Sequence, residues 1–160
     1  MTMPPLSPSD ATDTDINRSE SSWTIQSTTE IAYVRRQCMV YASAGGGSHK
    51  AGVELSIAVT ELLTNALKFG NRAEVTLQEV QSPIPGIQIV ILDDGPGFDN
   101  VELATVDGYS EGRFLIEDDC ISHRRGLGMG LGAVSRLTDR MLLENAEAGG
   151  ARVTIWKWLR

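Results

Sequence analysis

The chain has 160 residues, which suits one domain with its own core, and its hydrophobic fraction of 41% is ordinary for a globular protein. The net charge of −7 argues against nonspecific binding to nucleic acid or to an anionic membrane. No apolar run is long enough to span a bilayer, and Cys38 and Cys120 lack metal-type spacing. We therefore expect a cytoplasmic protein with no nucleic-acid partner and no membrane partner.

The first predicted elements follow a polar amino-terminal segment. Residues 1–20 are mostly Ser, Thr, Pro and Asp, a composition typical of a disordered tail, which leaves 21–160 for the folded domain. Alternation of apolar and polar residues predicts a strand over 22–27. A helix is then predicted from Thr28 or Thr29 to the glycines at 45–47. Four of its residues recur at helical spacing: Ile31, Val34, Cys38 and Tyr41.

A second, longer helix is predicted from about Lys50 to Phe69, with Gly70 just past its end. Five residues at spacings of three and four are expected to face a sheet: Leu55, Ala58, Leu62, Ala66 and Phe69. A polar stripe runs along another side of the helix and comprises Glu54, Glu61, Asn65 and Lys68. Such a stripe is by itself typical of a solvated helix face.

The remaining elements are strands, a long loop, one helix and a final hairpin. Strands are predicted over 73–80 and 86–94, and a loop from 95 to 126 contains a short helical piece near 100–105. A helix over 128–139 precedes two strands joined by Gly149 and Gly150. Because the helices do not alternate with the strands, we expect an α+β two-layer sandwich of the α/β class. Its mixed, mostly antiparallel sheet should carry helices on one face.

Two glycine-containing motifs accompany these elements. LDDGPGF, at 92–98, places Asp93 at a strand end and Gly95 and Gly97 in the next turn, where backbone can approach a ligand. RRGLGMGLGAV, at 124–134, has alternating glycines before a helix: Gly126, Gly128, Gly130 and Gly132. Each glycine destabilises a helix by roughly 1 kcal/mol, which suggests a binding role, since amides at a helix start bind phosphate. Each motif alone also fits an ordinary turn or loop.

The order E-x-x-x-N on a helix, D-x-G-x-G after a strand and G-x-G-x-G before a helix resembles the GHKL ATPase superfamily over residues 22–160. The resemblance implies the Bergerat fold and ATP binding with Mg²⁺. It implies that Asn65 supplies its amide oxygen to Mg²⁺ and that Glu61 is the general base. Asp93 is implied to accept a hydrogen bond from the adenine amino group, and Gly95 and Gly97 to shape the adenine pocket.

The same resemblance implies an ATP lid over about residues 105–128. The four alternating glycines would form the hinge of this lid and the start of a helix facing the phosphates. Lys68, Arg124 and Arg125 are expected among the nucleotide-binding residues, although solvated loop charges account equally well for the two arginines.

Three further stretches narrow the resemblance. DGYS at 107–110, GLGMGLGAVSRLTD at 126–139 and VTIWKWLR at 153–160 are similar to the RsbT-type switch kinases of the stressosome. These belong to the anti-sigma-factor serine/threonine kinase class. The similarity implies ATP-dependent phosphorylation of a serine or threonine on a STAS-domain anti-sigma-factor antagonist or stressosome protein. It also implies binding to a PP2C-type phosphatase.

Two other functions fit the same motifs. A nucleotide-gated anti-sigma factor would bind a sigma factor by sequestration without transferring phosphate. Classical anti-sigma kinases usually act as homodimers, so a strictly monomeric protein would favour the switch kinase. An isolated ATPase component of a histidine kinase would produce acid-labile phosphohistidine, whereas the first function produces acid-stable phosphoserine or phosphothreonine.

Overall fold

A computed structural model describes residues 20–105, 109–110, 113–114 and 130–160. The expected tail over 1–19 lies outside the described residues. Three helices are described: α1 (Thr28–Ala44), α2 (His49–Phe69) and α3 (Gly130–Leu137). The strands are β1 (Glu20–Ile25), β2 (Ala73–Val80), β3 (Gly86–Asp93), β4 (Tyr109–Ser110), β5 (Arg113–Phe114), β6 (Arg140–Asn145) and β7 (Ala151–Trp158).

Five of the strands form one sheet in the order β1-β2-β3-β7-β6. Every neighbouring pair in this sheet is antiparallel, in agreement with the expected mostly antiparallel sheet. The short β4 and β5 pair with each other in a separate antiparallel ladder. Short connections such as the β6–β7 hairpin allow antiparallel neighbours, because no crossover helix is needed between them.

The core lies between this sheet and the helices. In the central strand β3, Ile87, Ile89 and Ile91 are buried while Val90 and Leu92 on the other face are half-buried. Since side chains alternate between faces, one side of the sheet bears the core-facing residues. A two-layer sandwich with its helices on one face is therefore confirmed.

Helix α2 follows the predicted boundaries closely. The Ser48 hydroxyl accepts a hydrogen bond of 3.1 Å from the Ala51 N–H at its start. Leu55, Ala58, Leu62 and Ala66 are buried as predicted, but Phe69 is 44% exposed and that prediction was wrong. The final turn lies beside the loop after β3, since a Cβ on Gly95 in that loop would lie 2.9 Å from the Phe69 carbonyl oxygen.

Helix α1 has the buried stripe expected from its spacing: Ile31, Val34, Cys38 and Tyr41. Its N-cap is Ser27, one residue before the predicted start, and Glu30 accepts the Ser27 N–H at 3.1 Å. Cys38 is fully buried, and burial raises the pKa of its thiol to about 12. That thiol is a packing residue, because the reactive thiolate form is suppressed. Cys120 lies outside the described residues.

Two other elements differ from the sequence prediction, and a third is only partly described. β1 spans Glu20–Ile25 rather than 22–27. The segment near 100–105 makes a single helix-like turn, in which the Ala104 N–H donates to the Asn100 carbonyl at 3.1 Å, and does not continue as a regular helix. The described part of α3 begins at Gly130, so the glycines at 126 and 128 fall outside the described residues.

Candidate functional site

Glu61 is a buried acid in the middle of α2. Its residue is 7% exposed, although the polar stripe to which it belongs is typical of a solvated face. Its Oε1 accepts a hydrogen bond of 3.1 Å from the backbone N–H of Gly130, the first residue of α3. A carboxylate is stabilised by an amide at a helix start, where the helix dipole is positive. The fold thus joins the E-x-x-x-N helix to the glycine-rich motif across 69 positions of sequence.

Asn65 follows Glu61 by one turn and is half-buried. Lys68 lies in the last turn of α2, is exposed, and has its Nζ 4.8 Å from the centre of the Phe69 ring. Residues four apart on a helix lie on the same side, so Asn65 and Glu61 face one region. Among the described residues, no cluster of three or more His, Cys, Asp or Glu could hold a metal ion. Mg²⁺ often keeps several waters, so a single amide oxygen remains compatible with it.

Asp93 ends β3 and organises the backbone around it. Its Oδ1 accepts hydrogen bonds from the Gly95 N–H at 2.9 Å and from the Ala151 N–H at 3.0 Å. One bond reaches the next loop and the other reaches the start of β7. The backbone of Gly150, just before Ala151, lies very close to that of Asp93. A Cβ on Gly150 would be only 2.0 Å from the Asp93 carbonyl oxygen. The same carboxylate retains a second oxygen that could accept from a ligand.

Asp94 joins the loop after β3 to the end of α2. Its Oδ1 accepts the N–H groups of Asn71 at 2.7 Å and Arg72 at 3.1 Å. These two hydrogen bonds hold the pKa of the Asp94 carboxyl below its usual value, and the bond from Arg72 has the larger effect. Gly70 is needed here for space rather than for a left-handed backbone, since its φ is −125° and a Cβ would lie 2.5 Å from Asp94 Oδ1.

Asn145, at the end of β6, holds the other side of this loop. Its Oδ1 accepts the Phe98 N–H at 2.7 Å, and its Nδ2 donates to the Phe98 carbonyl at 3.0 Å. A Cβ on Gly97 would lie 2.6 Å from that Oδ1. Sequence reasoning missed both Asn145 and Asp94. The doubled Asp in LDDGPGF was a local signal for Asp94, but no motif pointed to Asn145.

Helix α3 is anchored at its far end by Lys157 of β7. The Lys157 Nζ donates to the Leu137 carbonyl at 2.9 Å and forms an ion pair of 2.5 Å with Glu54 of α2. The two side chains are only 13% and 23% exposed. Glu54 had been grouped with a polar stripe, but in the fold it fixes α2 relative to α3. A cation at the last carbonyls of a helix also complements the helix dipole.

Together these contacts define two ends of the candidate site along α2. The helix end comprises Glu61 and Gly130; the loop end comprises Asp93, Asp94, Gly95–Phe98 and Asn145. Glu61 and Phe69 are eight positions apart on the helix, which corresponds to about 12 Å at 1.5 Å per residue. Asn65 lies between the two ends. An elongated ligand along α2 would therefore meet all three sequence motifs.

Some predicted site residues fall outside the described part of the chain. These are Arg124, Arg125, Gly126 and Gly128, together with most of the expected lid. Gly132 is described and lies buried within α3. A groove of about 630 Å³ lies elsewhere, between the end of α1 and the start of α2, and is lined by residues such as Met39 and His49. It lies at the opposite end of α2 from Asn65 and includes none of the motif residues.

This arrangement agrees with the profile of one known family. The histidine kinase-like ATPase domain matches residues 26–157, and the chain belongs to this family. The GHKL resemblance drawn from the motifs is thereby confirmed. Membership of this family supports a kinase or ATPase activity for this chain. No helix among the described residues is both long enough and apolar enough to cross a membrane.

Individual proteins are similar to this chain at 16% to 27% sequence identity. The chain is 27% identical over 107 residues to serine/threonine-protein kinase RsbT of Bacillus subtilis, covering 66% of this chain and 71% of that protein. The mycobacterial sensor histidine kinase MprB is 16% identical, with 88% of this chain and 96% of that chain covered and a TM-score of 0.49. The histidine kinase domain of the E. coli osmosensor EnvZ is 17% identical, covers 93% of each chain and has a TM-score of 0.42.

Proposed function

We propose that this protein is an ATP-dependent serine/threonine kinase of a bacterial partner switch. The observation that supports this proposal is the buried Glu61, one helical turn before Asn65 and hydrogen-bonded to the first amide of α3. The similarity to a named serine/threonine-protein kinase agrees with it.

In the proposed reaction, Glu61 accepts the proton of a serine or threonine hydroxyl on the partner. The hydroxyl oxygen forms a bond to the γ-phosphorus as the bond to the β–γ bridging oxygen breaks, and ADP leaves. Phosphoryl transfer depends mainly on positioning and charge neutralisation, so few chemical groups suffice. Gly130 and Gly132, with Gly126 and Gly128 before them, would present backbone amides to the phosphates.

The remaining residues bind and orient the nucleotide. Bound Mg²⁺ would neutralise phosphate charge, and Asn65 would hold it through its amide oxygen. Asp93 would accept a hydrogen bond from the adenine amino group through the carboxylate oxygen that the described bonds leave available. Gly95 and Gly97 would bring backbone against the ring, and Lys68, Arg124 and Arg125 would contact the phosphates.

The proposed partner is a STAS-domain anti-sigma-factor antagonist or stressosome protein in the cytoplasm. Binding and activation of a PP2C-type phosphatase is a second proposed activity of the same protein. Both proposals extend the similarity to the switch kinase and depend on the nucleotide site described above.

The test is transfer of label from [γ-³²P]ATP to a purified STAS-domain partner, with wild type and Glu61→Gln. We expect acid-stable label on serine or threonine, and a loss of at least about 100-fold in the variant, because general bases contribute 10²–10⁴-fold. ATP binding should stay within about threefold of wild type, since the base acts on the attacking hydroxyl.

Three results would contradict this proposal. Unchanged transfer by Glu61→Gln would remove Glu61 as the base. ATP binding with no transfer, accompanied by a stable complex with a sigma factor, would instead indicate sequestration. Acid-labile label would indicate phosphohistidine and the third class of activity.

A further inference from the structure

Asn145 makes contacts that a neighbouring strand would ordinarily make. Its side chain pairs with both the N–H and the carbonyl of Phe98, at 2.7 and 3.0 Å. A primary amide offers an acceptor and a donor at the spacing of a peptide group, so it can replace a strand partner for a single residue. The loop after β3 is thus held by a side chain rather than by the sheet.

The loop also lies very close to the hairpin that carries Asn145. A Cβ on Gly97 would be 2.6 Å from Asn145 Oδ1 and 3.3 Å from the Gly150 carbonyl, and the φ of Gly97 is +82°. A side chain at position 97 would therefore push the loop off the hairpin. The position requires glycine for close approach as well as for its backbone conformation.

The same hairpin holds Asp93 from the other side. The Ala151 N–H donates to Asp93 Oδ1 at 3.0 Å, and the Ala146 N–H donates to the Gly150 carbonyl at 3.0 Å across the turn. Asn145 and Ala151 are also paired residues in the β6–β7 register. One short rigid hairpin consequently fixes both Asp93 and the backbone of Gly95–Phe98 relative to each other.

We propose that Asn145 is a positioning residue for recognition of the purine base, acting through the loop that contains Gly95 and Gly97. The inference rests on the proposed function, because it assumes that Asp93 contacts the base. Asn145 does not touch the reacting atoms. It holds the Gly95–Phe98 backbone in a fixed position beside the Asp93 carboxylate, and so sets the shape of the surface that meets the base.

The test compares wild type with Asn145→Ala and Asn145→Asp. The aspartate has nearly the same size and can accept the Phe98 N–H, but it cannot donate to the Phe98 carbonyl. Glu147→Ala, an exposed change in the same hairpin, is the control. Affinities for ATP and GTP are measured by calorimetry, and the rate of phosphate transfer is measured at saturating ATP.

We expect both Asn145 variants to bind ATP about three- to tenfold more weakly, because each loses at least one hydrogen bond that holds the loop in place. The preference for ATP over GTP should shrink, while the rate at saturating ATP should stay within about twofold of wild type. Amide exchange at Phe98 should also be faster in the nucleotide-free variants, which reports the loop independently of binding.

Unchanged ATP affinity in both variants would overturn the inference. Equal weakening of ATP and GTP, with a lower thermal midpoint, would also overturn it, because that result describes general destabilisation. If the wild type did not bind ATP at all, the proposed function itself would fail and the inference with it. The absence of ATP binding in the wild type and unchanged ATP affinity in the variants are distinct results. The experiment therefore separates an error in the proposed function from an error in the role of Asn145.

Discussion

At the loop end of the site, Asp93, Asp94 and Asn145 fix the backbone through six hydrogen bonds. At the helix end, the described residues supply one hydrogen bond between the two motifs, from Gly130 to Glu61. All six bonds of the loop end and the one of the helix end join a side chain to backbone. The loop end is therefore preorganised, whereas the helix end depends on how α3 is held.

This difference suggests that the loop end and the helix end have separate roles in binding and in phosphate transfer. A preorganised loop end costs little ordering entropy when a ligand binds, so it can provide selectivity and affinity. The helix end holds the groups proposed for phosphate transfer, and its single N–H to carboxylate bond can be exchanged for bonds to a phosphate. Binding and chemistry should then be separable by mutation along α2.

The sharpest way to separate the two ends is Asn65→Ala. We expect Mg²⁺-dependent ATP affinity to fall by at least about tenfold, as metal-site changes commonly do. Adenosine and AMP affinity should be unchanged, because the loop end is intact. Calorimetry with and without Mg²⁺ measures both. Equal loss of adenosine binding would show that the two ends are not independent.

A second prediction concerns the rigidity of the loop end. Gly150→Ala would place a Cβ 2.0 Å from the Asp93 carbonyl at a φ of +88°, and should lower the free energy of unfolding by about 2–5 kcal/mol. Gly149→Ala is the matched control, since its φ is +91° but nothing lies within 4 Å of the added atom. It should cost about 1–2 kcal/mol. Urea denaturation measures both, and similar losses would refute the close approach.

The third prediction concerns the anchor of α3. Lys157→Met removes the ion pair to Glu54 and the bond to Leu137, and should lower stability by about 1–3 kcal/mol, because the pair is only partly shielded from solvent. Lys50→Met is the control: it pairs with the same Glu54 at 3.8 Å but its side chain is 80% exposed. It should change stability by less than about 0.5 kcal/mol.

The readout that links this anchor to the helix end is phosphate transfer. Lys157→Met should also slow transfer at saturating ATP, since α3 would no longer be fixed against α2, while Lys50→Met should not. Equal rates in the two variants would mean that the far end of α3 does not influence the helix end.

The smallest expected effect is a pH dependence at Asp94. Its pKa is lowered in the folded protein by bonds from Arg72 and Asn71. Its contribution to stability is therefore full above the unfolded-state pKa and is lost as pH falls below about 4. Asp94→Asn should be less stable than wild type at pH 7, and the difference should shrink by pH 3. Thermal unfolding at both pH values measures this; a constant difference would show that the titration of Asp94 is not responsible.

Much of the fold could be predicted from sequence because it follows local periodicity. The alternation in AEVTLQEV and GIQIVILD predicted β2 and β3, and the spacing of Leu55, Ala58, Leu62 and Ala66 predicted the buried side of α2. Phe69 was predicted wrongly for a reason that periodicity does not contain. Spacing gives the side of a helix on which a residue lies, but not whether the sheet extends that far.

The motif residues of the candidate site were also accessible from sequence, because E-x-x-x-N, D-x-G-x-G and alternating glycines are local patterns. Their roles in binding and catalysis stay predictions. Asn145 and Lys157 were not accessible in this way. Each acts on a residue that lies tens of positions away, and nothing in its own neighbourhood distinguishes it from an ordinary hairpin or surface residue.

The sequence by itself therefore determined the order of elements, their amphipathic faces and the three motifs, all of which depend on residues within a few positions of one another. Only the tertiary structure decided that Glu61 is buried against Gly130 and that Asn145 holds Phe98. It also decided that Glu54 pairs with Lys157 rather than facing solvent alone. Such contacts arise from how the hairpin, α2 and α3 are packed on one sheet, and packing is a property of the whole chain.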